Sequence, residues 1–233
     1  MPAQWESGRF VLASSEGALV VIGISSRLAR RADEIDAAKN DAARKVALFY
    51  GLEGRVEFFQ RSGASVFDFI AESSVDLRPF IQDHERFLDR LFFDPDRDVL
   101  LFDSGSLVRF TYGAQVSRVA TPSSRLDAQG RPEWAGGANL PWIAGHLTAV
   151  GFSQNQIWLR DTAMRSAQAA AARMIMAGGS DMRIFEIDAP GQGSVSYISS
   201  RSEGILVDFR IIEFWIDPWD MSVYTLAVGR LAR

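Results

Sequence analysis

The sequence predicts an α+β fold of two tandem modules, each an alanine-rich helix packed on a small antiparallel sheet of β-α-β-β type. Two observations support this fold class. An apolar strand that ends in glycine runs into an amphipathic helix at residues 18–49, and the same order returns at residues 147–177. An Asp-Pro pair between β-forming residues also occurs twice, at Asp94 and Asp217. Repetition on this scale is typical of a repeated supersecondary unit.

Composition limits the classes of function. The 233 residues are 47% hydrophobic and include 16 Phe and 6 Trp, so each half has enough apolar mass for a core. The net charge is −4, which leaves no domain-wide positive field, and we therefore expect no nucleic-acid partner. The absence of cysteine excludes disulfides, thiol nucleophiles and a lipid-bearing cysteine.

The opening residues contain no basic stretch followed by a long apolar run. The longest apolar segment, residues 18–24, is far below the roughly 20 residues that a membrane span needs, so we expect no transmembrane segment. Two interpretations stay open: a cytoplasmic protein, or a protein whose export signal is missing from this chain.

The first element of each module is an apolar strand that ends at Gly23 or Gly151. A tryptophan precedes each glycine, with Trp5 18 residues before Gly23 and Trp134 17 residues before Gly151. A glycine at the end of a strand pattern indicates a bulge or a close approach of another backbone.

The second element is a helix, because small and apolar residues recur at steps of three and four. In the first copy they are Ile35, Ala38, Ala42, Val46 and Phe49, and in the second Ala163, Ala167, Ala170, Met174 and Ala177. The alanines predict a helix that lies very close to the surface it covers. Gly51 and the pair Gly178-Gly179 stand where a left-handed residue ends a helix.

A strand follows each helix, at residues 55–60 and 182–188. The Asp-Pro pairs at Asp94 and Asp217 then predict hairpin turns, because proline presets a turn dihedral and aspartate can accept a hydrogen bond from the backbone ahead of it. Each module is therefore predicted to be strand, helix, strand and hairpin.

The copies differ between the second strand and the hairpin. Residues 205–216 are almost continuously β-branched and aromatic, which predicts a long strand. The corresponding residues of the first copy have a helical period, which predicts a helix at 79–91, although alignment with the second copy favours a strand there. We place the first module at residues 1–116, a linker rich in Ser, Gln, Arg and Pro at 117–131, and the second module at 132–233.

Together, the Pro-x-Trp opening, the strand ending in Val-Gly or Ile-Gly, the alanine-rich helix and the closing Asp-Pro hairpin resemble the LPP20 family, which includes the N-terminal domain of the flagellar ring protein FlgT. The second copy matches across residues 132–230; the first matches to Val66 and again from Phe92. The resemblance implies small α/β modules in periplasmic or outer-membrane proteins that build rings and scaffolds. Many members of the family are lipoproteins, and this chain lacks the cysteine that they use.

Three aspartates, Asp94, Asp96 and Asp98, alternate as in a calcium loop. The glycine and glutamate that such a loop needs at its sixth and twelfth positions are Val99 and Gly105 here. A solvated turn explains the acids, and we expect no metal site.

Catalytic signatures are missing as well. His84 lies in a charged stretch and His146 at the start of a strand, and neither has a nucleophile nearby in the sequence. Gly191-Gln192-Gly193 lacks the third glycine, lysine and helix of a phosphate-binding loop. We expect no catalytic residue and no cofactor.

Five of the six tryptophans lie in the second copy. Trp134 and Trp215 are predicted to be in the core, and Trp219 is the preferred interface residue, because a large apolar side chain on a turn is difficult to bury in its own module. The further interface candidates are Trp158, which precedes the second helix, Asp96, which takes the place of Trp219 in the first copy, and Arg30 and Arg31 of a basic cluster.

Three hypotheses follow. The leading one is a non-enzymatic scaffold protein of a periplasmic or outer-membrane assembly, of which a flagellar motor is one example, that forms a homo-oligomer or ring through protein contacts. The alternative is a module that binds an aromatic or flavin-like ligand in a cleft between helix and sheet, or between the two copies. An enzyme of an unrecognised type is the third.

Overall fold

The structure, a computed structural model, describes residues 8–12, 17–62, 69–114, 116, 125–128, 130–137, 140–154, 158–178, 181–189 and 193–232. The helices are α1 (Arg31–Tyr50) and α2 (Leu159–Gly178), with short 3-10 helices at Glu85–Arg90 and Glu133–Gly136. The strands are β1 (Arg9–Val11), β2 (Ala18–Ser26), β3 (Leu52–Ser62), β4 (Phe69–Pro79), β5 (Leu91–Phe92), β6 (Val99–Phe102), β7 (Gly105–Gly113), β8 (Leu147–Ser153), β9 (Asp181–Ala189), β10 (Gly193–Ile216) and β11 (Val223–Leu231).

These strands form two antiparallel sheets. The large sheet has the order β4-β3-β10-β11-β8, with β1 and β9 also paired to β10. The small sheet has the order β2-β7-β5, with β6 also paired to β7. The predicted α+β class is confirmed. Neither of the described helices is both long enough and apolar enough to cross a membrane.

The predicted order of strand, helix and strand is present twice, as β2-α1-β3 and as β8-α2-β9. Strand β10 contains the predicted strand 205–216 and is longer, with 24 residues. The predicted loop at Gly191-Gln192 and most of the predicted linker, residues 117–124 and 129, lie outside the described residues.

The length of β10 joins the two halves of the chain. Its first part pairs with β3, from Ser196 opposite Ser62 to Leu206 opposite Leu52. Its second part pairs with β11, from Leu206 to Ile216. Because β3 comes from the first half of the chain, the large sheet takes strands from both halves. The module boundaries themselves stay a prediction.

The predicted helix at residues 79–91 forms only in part, as a 3-10 helix at Glu85–Arg90. Strand β4 runs to Pro79, and the Phe80 N–H continues the ladder by donating to the Gly51 carbonyl at 2.9 Å. A single 3-10 helix and the short β5 then follow. The helical period arose because Phe87 and Leu91 pack into the apolar cluster beneath α1.

Only one of the two predicted Asp-Pro hairpins forms. The turn at Asp217 connects β10 to β11, which pair with each other, so that prediction is confirmed. The turn at Asp94 connects β5 to β6, and both strands pair with β7 rather than with each other. The hairpin predicted at Asp94 is therefore wrong. The turn there separates two strands that run in the same direction along one side of β7.

The expected left-handed ending of α1 is also wrong. Gly51 has φ 156° and ψ 141°. A Cβ there would lie 2.5 Å from Cδ2 of the Phe80 ring, so glycine makes room for a side chain. Gly178 is the last residue of α2, and Gly179 lies outside the described residues.

Each helix packs mainly on one sheet, and α1 also contacts β10 of the large sheet while α2 also contacts β2 of the small one. Helix α1 packs through Ala38, Ala42 and Val46 against the small sheet. Helix α2 packs through Ala170 and Met174 against the large one. A further buried cluster joins the sheets where β2 meets the end of β10; its strand residues include Val20, Ile22, Ile24, Phe214 and Ile216.

The face of the β4-β3-β10 region away from α2 is charged. Arg55 pairs with Glu203 at 2.7 Å, Arg201 with the same carboxylate at 2.5 Å, and Arg78 with Asp76 at 2.7 Å. These side chains are about half exposed or more. Exposed opposite charges within and between strands are typical of a solvated sheet face.

Candidate functional site

The turn between β10 and β11 carries the most exposed tryptophan among the described residues. Trp219 is 93% exposed. The main-chain N–H of Trp219 donates to Oδ1 of Asp217 at 2.8 Å, and the Met221 N–H donates to the Asp217 carbonyl at 2.9 Å. The Ser222 N–H donates to Oδ1 of Asp220 at 2.8 Å, and the Asp217 N–H closes the turn on the Ser222 carbonyl at 2.9 Å. The backbone that presents Trp219 is therefore held by four hydrogen bonds.

An aromatic row crosses the sheet behind this turn. The ring of Phe152 on β8 lies 4.8 Å from that of Tyr224 on β11, which lies 5.2 Å from that of Trp215 on β10, measured between centroids. Phe152 is 38% exposed and Trp215 only 4%. Burial raises the pKa of the Tyr224 phenol above its ordinary value. The row therefore runs from the core to the edge strand at the end of the sheet that carries the turn.

Trp158 belongs to the same end of the large sheet. It directly precedes α2, whose Leu159 and Ala163 pack in one cluster with Ile216 and Val223, the strand residues on either side of the turn. The Trp158 carbonyl accepts hydrogen bonds from the N–H and the hydroxyl of Thr162, both at 3.1 Å. The side chain is 50% exposed. The structure thus brings the two tryptophan candidates to one end of the sheet.

Asp96 lies on the corresponding turn of the first half and is exposed. Its N–H donates to Oδ1 of Asp94 at 3.0 Å, and the Asp94 N–H donates to Oδ2 of Asp98 at 2.9 Å. Asp98 also pairs with Arg109 at 3.5 Å. The alternating acids therefore hold main-chain N–H groups of the turn.

The two arginine candidates differ in their surroundings. Arg30 is exposed and precedes α1. Arg31 bonds Oε2 of Glu34 at 2.8 Å and also donates to the Phe102 carbonyl at 2.9 Å and the Gly105 carbonyl at 3.3 Å. Arg31 therefore ties α1 to the β6–β7 hairpin.

Glu34 is fully buried between α1 and this hairpin. Burial by itself would raise the pKa of this carboxyl, but hydrogen bonds from Ser106, the Leu28 N–H, Arg27 and Arg31 outweigh it and lower the pKa from 4.5 to about 2. The ionised carboxylate is the form that these donors stabilise. The sequence shows Glu34 only as an acidic residue in the first turn of a helix, so its partners could not be predicted.

The two histidines have different surroundings. Nε2 of His146 lies 2.9 Å from Oδ2 of Asp208, which also pairs with Arg210 at 2.5 Å. Asp208 has a left-handed backbone, φ 58°, at a register shift in β10. His84 lies in the segment after β4, and its Nδ1 is 3.4 Å from the Gln82 carbonyl.

A cleft of ≈ 340 Å³ lies between α1 and α2, one helix from each half. Leu52, Leu77 and Phe209 line it from β3, β4 and β10. Polar lining comes from Arg44, Gln82, His84 and Gln168. The volume lies within the range of small-molecule sites. Sequence reasoning placed each helix on its own sheet and could not show that both helices border one cavity.

Sequence reasoning also missed Trp142 as an exposed aromatic side chain. It is 87% exposed in the loop before β8. Trp134, by contrast, is 1% exposed in a cluster with Trp215, so the predicted core positions of these two are confirmed. The only available signal was the position of Trp142 next to Pro141 in a segment without periodicity.

In the described part of the chain, no three His, Asp or Glu side chains lie close enough to share a metal ion. Comparison with protein-family models, with curated proteins and with solved structures finds no match for this chain. The features of this chain that bear on function are therefore the Trp219 turn and the interhelical cleft.

Proposed function

We propose that this protein is a non-enzymatic scaffold component that assembles with further copies of itself through the Trp219 turn. The observation that carries the proposal is a tryptophan, 93% exposed, on a turn whose backbone is held by four hydrogen bonds. An ordered turn loses little conformational freedom when it binds, and aromatic anchors supply most of the energy of many protein interfaces.

The surroundings of the turn favour this role. Phe152 and Trp158 add apolar surface at the same end of the large sheet, at 38% and 50% exposure. Strand β8 is an edge strand there, because it pairs with β11 alone among the described strands. A free strand edge beside exposed aromatic side chains can be extended by a neighbouring chain.

The cell envelope enters the proposal through the resemblance to the LPP20 family. On that basis we propose a periplasmic or outer-membrane location and a role in a ring or scaffold such as a flagellar motor accessory. The repeated order of β2-α1-β3 and β8-α2-β9 is compatible with two such modules. Cell fractionation tests the compartment; recovery in the cytoplasm would contradict this part of the proposal.

Sedimentation equilibrium over a wide range of protein concentration tests self-assembly. We expect the wild-type mass to rise with concentration, and Trp219→Ala to remain a monomer over the same range. Trp142→Ala is the matched control, because Trp142 is 87% exposed in a different loop. It should assemble like the wild type.

Two results would contradict the scaffold proposal. A wild-type protein that stays monomeric at every concentration does not assemble with itself. Assembly that Trp219→Ala and Trp142→Ala weaken equally would show that the contact does not depend on the Trp219 turn.

A further inference from the structure

The cleft between α1 and α2 exists because small side chains face it from both helices. Ala47 on α1 and Ala167 and Ala171 on α2 line the cavity and are themselves at most 2% exposed. Their methyl groups cannot fill the space between the helix axes, so the cavity remains open. Longer side chains at these positions would have closed it.

The walls of the cleft are mostly apolar. Leu48 and Met164 line it from the two helices, and Pro79, the last residue of β4, closes it together with Ile81. Phe209 provides an aromatic side chain on the sheet side. An apolar wall of this size takes a hydrocarbon or aromatic body, which gains free energy from each CH₂ group that leaves water.

The described ionisable side chains that line the cleft are all basic. Arg44 and His84 are the ionisable side chains among the described residues that line the cleft, and none of these residues is acidic. Asp41, three residues before Arg44 on α1, is paired with Lys45, and among the described residues no carboxylate pairs with Arg44. Gln82 and Gln168 add amide groups that can donate hydrogen bonds. A guanidinium beside an apolar cavity favours an anionic group at the entrance, because its geometry fits a carboxylate.

We propose that this cleft binds a small apolar carboxylate, with the hydrocarbon or aromatic body between α1 and α2 and the carboxylate at Arg44. The site is separate from the Trp219 turn and does not depend on self-assembly. Because each half contributes one helix, occupancy of the cleft also stabilises the arrangement of the two halves.

Isothermal titration calorimetry with three ten-carbon probes tests the proposal below their micelle-forming concentrations. Decanoate carries the anionic group, decanol is neutral and decyltrimethylammonium is cationic. We expect one decanoate per chain, bound about tenfold more tightly than decanol, which corresponds to one charge-assisted contact. The cationic probe should bind more weakly than decanol. Benzoate and naphthoate then distinguish an aromatic from an aliphatic body.

Two variants place binding in the cleft. Arg44→Ala should weaken decanoate about tenfold and leave decanol unchanged. Met164→Trp fills the cavity from α2 and should abolish binding of both. Arg165→Ala is the control, because Arg165 is an exposed residue of α2 outside the cavity lining. It should bind both probes like the wild type, and circular dichroism should show native folding for all three variants.

Absence of decanoate binding at millimolar concentration would overturn the proposal. Equal affinities for decanoate and decanol, unchanged in Arg44→Ala, would overturn the assignment of the carboxylate. Binding that persists in Met164→Trp would place the probe elsewhere. None of these results affects the sedimentation test of the Trp219 turn, so failure of one proposal can be distinguished from failure of the other.

Discussion

Nζ of Lys45 donates a hydrogen bond to the main-chain carbonyl of Ile22 at 2.7 Å, across the contact between α1 and β2. Arg173 makes the same bond to the Val150 carbonyl at 2.5 Å, across the contact between α2 and β8. The donor follows the acceptor by 23 residues in both halves. A cation on the helix thus holds the carbonyl that precedes the strand glycine in each half.

The glycines themselves repeat in the same way. A Cβ on Gly23 would lie 1.9 Å from the carbonyl oxygen of Ala38, and a Cβ on Gly151 would lie 1.6 Å from that of Ser166. Each helix carbonyl comes 15 residues after its glycine. This confirms the prediction of a close backbone approach at both glycines.

Replacing either glycine by alanine should therefore force the helix off its sheet. We expect Gly23→Ala and Gly151→Ala each to lower the free energy of unfolding by roughly 2 kcal/mol or more, since overpacking against backbone cannot relax by a rotamer change. Urea unfolding measures the loss. Gly113→Ala on β7 is the control, because in the described part of the chain no atom beyond its own chain neighbours lies within 4 Å of its Cβ position. Equal stability of all three variants would contradict the packing argument.

The contributions of Lys45 and Asp41 to the free energy of unfolding should be strongly coupled. Nζ of Lys45 lies 2.6 Å from Oδ2 of Asp41, and both side chains are at most 6% exposed. Lys45→Met leaves a buried carboxylate whose remaining partner is the Ile24 N–H, and we expect a loss of about 3 kcal/mol.

A double-mutant cycle in urea separates this coupling from packing. The double variant Asp41→Leu/Lys45→Met should lose less stability than the sum of the two single variants, because it leaves no buried charge, whereas each single variant leaves one. Arg201→Met is the control on the solvated sheet face, where we expect little change in stability. Additive single effects would show that the pair is not coupled.

The stability of the protein should fall in acid because of Glu34. Its pKa is lowered from 4.5 to about 2 in the folded protein, so between these values the unfolded chain takes up a proton that the folded chain does not. The stabilisation is complete above about pH 4.5 and is lost as the pH falls toward 2.

Urea midpoints between pH 2 and pH 6 check this prediction. Glu34→Gln should be less stable than the wild type above pH 4.5, by roughly 3 kcal/mol, and the difference should shrink as the pH falls. Asp33→Asn, an exposed neighbour in the same helical turn, should follow the wild-type profile. A difference between wild type and Glu34→Gln that stays constant with pH would contradict it.

Trp219 and Trp134 should differ in how much their replacement by alanine lowers the free energy of unfolding. Trp219→Ala should change the free energy of unfolding of the monomer by less than about 0.5 kcal/mol, because the side chain is almost fully exposed. Trp134→Ala should cost roughly 3–5 kcal/mol, because it leaves a cavity beside Trp215. Urea unfolding at low protein concentration measures both. A large loss in Trp219→Ala would indicate a structural role for this residue.

The sequence alone determined the helices and strands that depend on residues close together in the chain. Strand alternation, the spacing of alanines and the glycines at 23 and 151 predict β2, α1, β8 and α2, because these features depend on residues within one or two turns or on one backbone contact. The Asp217 turn is equally local, since its aspartates bond N–H groups two residues ahead.

Tertiary structure decided how the halves meet and what they enclose. Strand β3 could pair with any free edge, and only the fold places it against β10. Residues 79–91 gave a helical signal because Phe87 and Leu91 must reach the cluster under α1, while Phe80 still bonds Gly51. The cleft likewise requires alanines from two helices that lie 120 residues apart, Ala47 and Ala167. Contacts at this separation depend on packing and strand register, which the periodicity of a single segment does not contain.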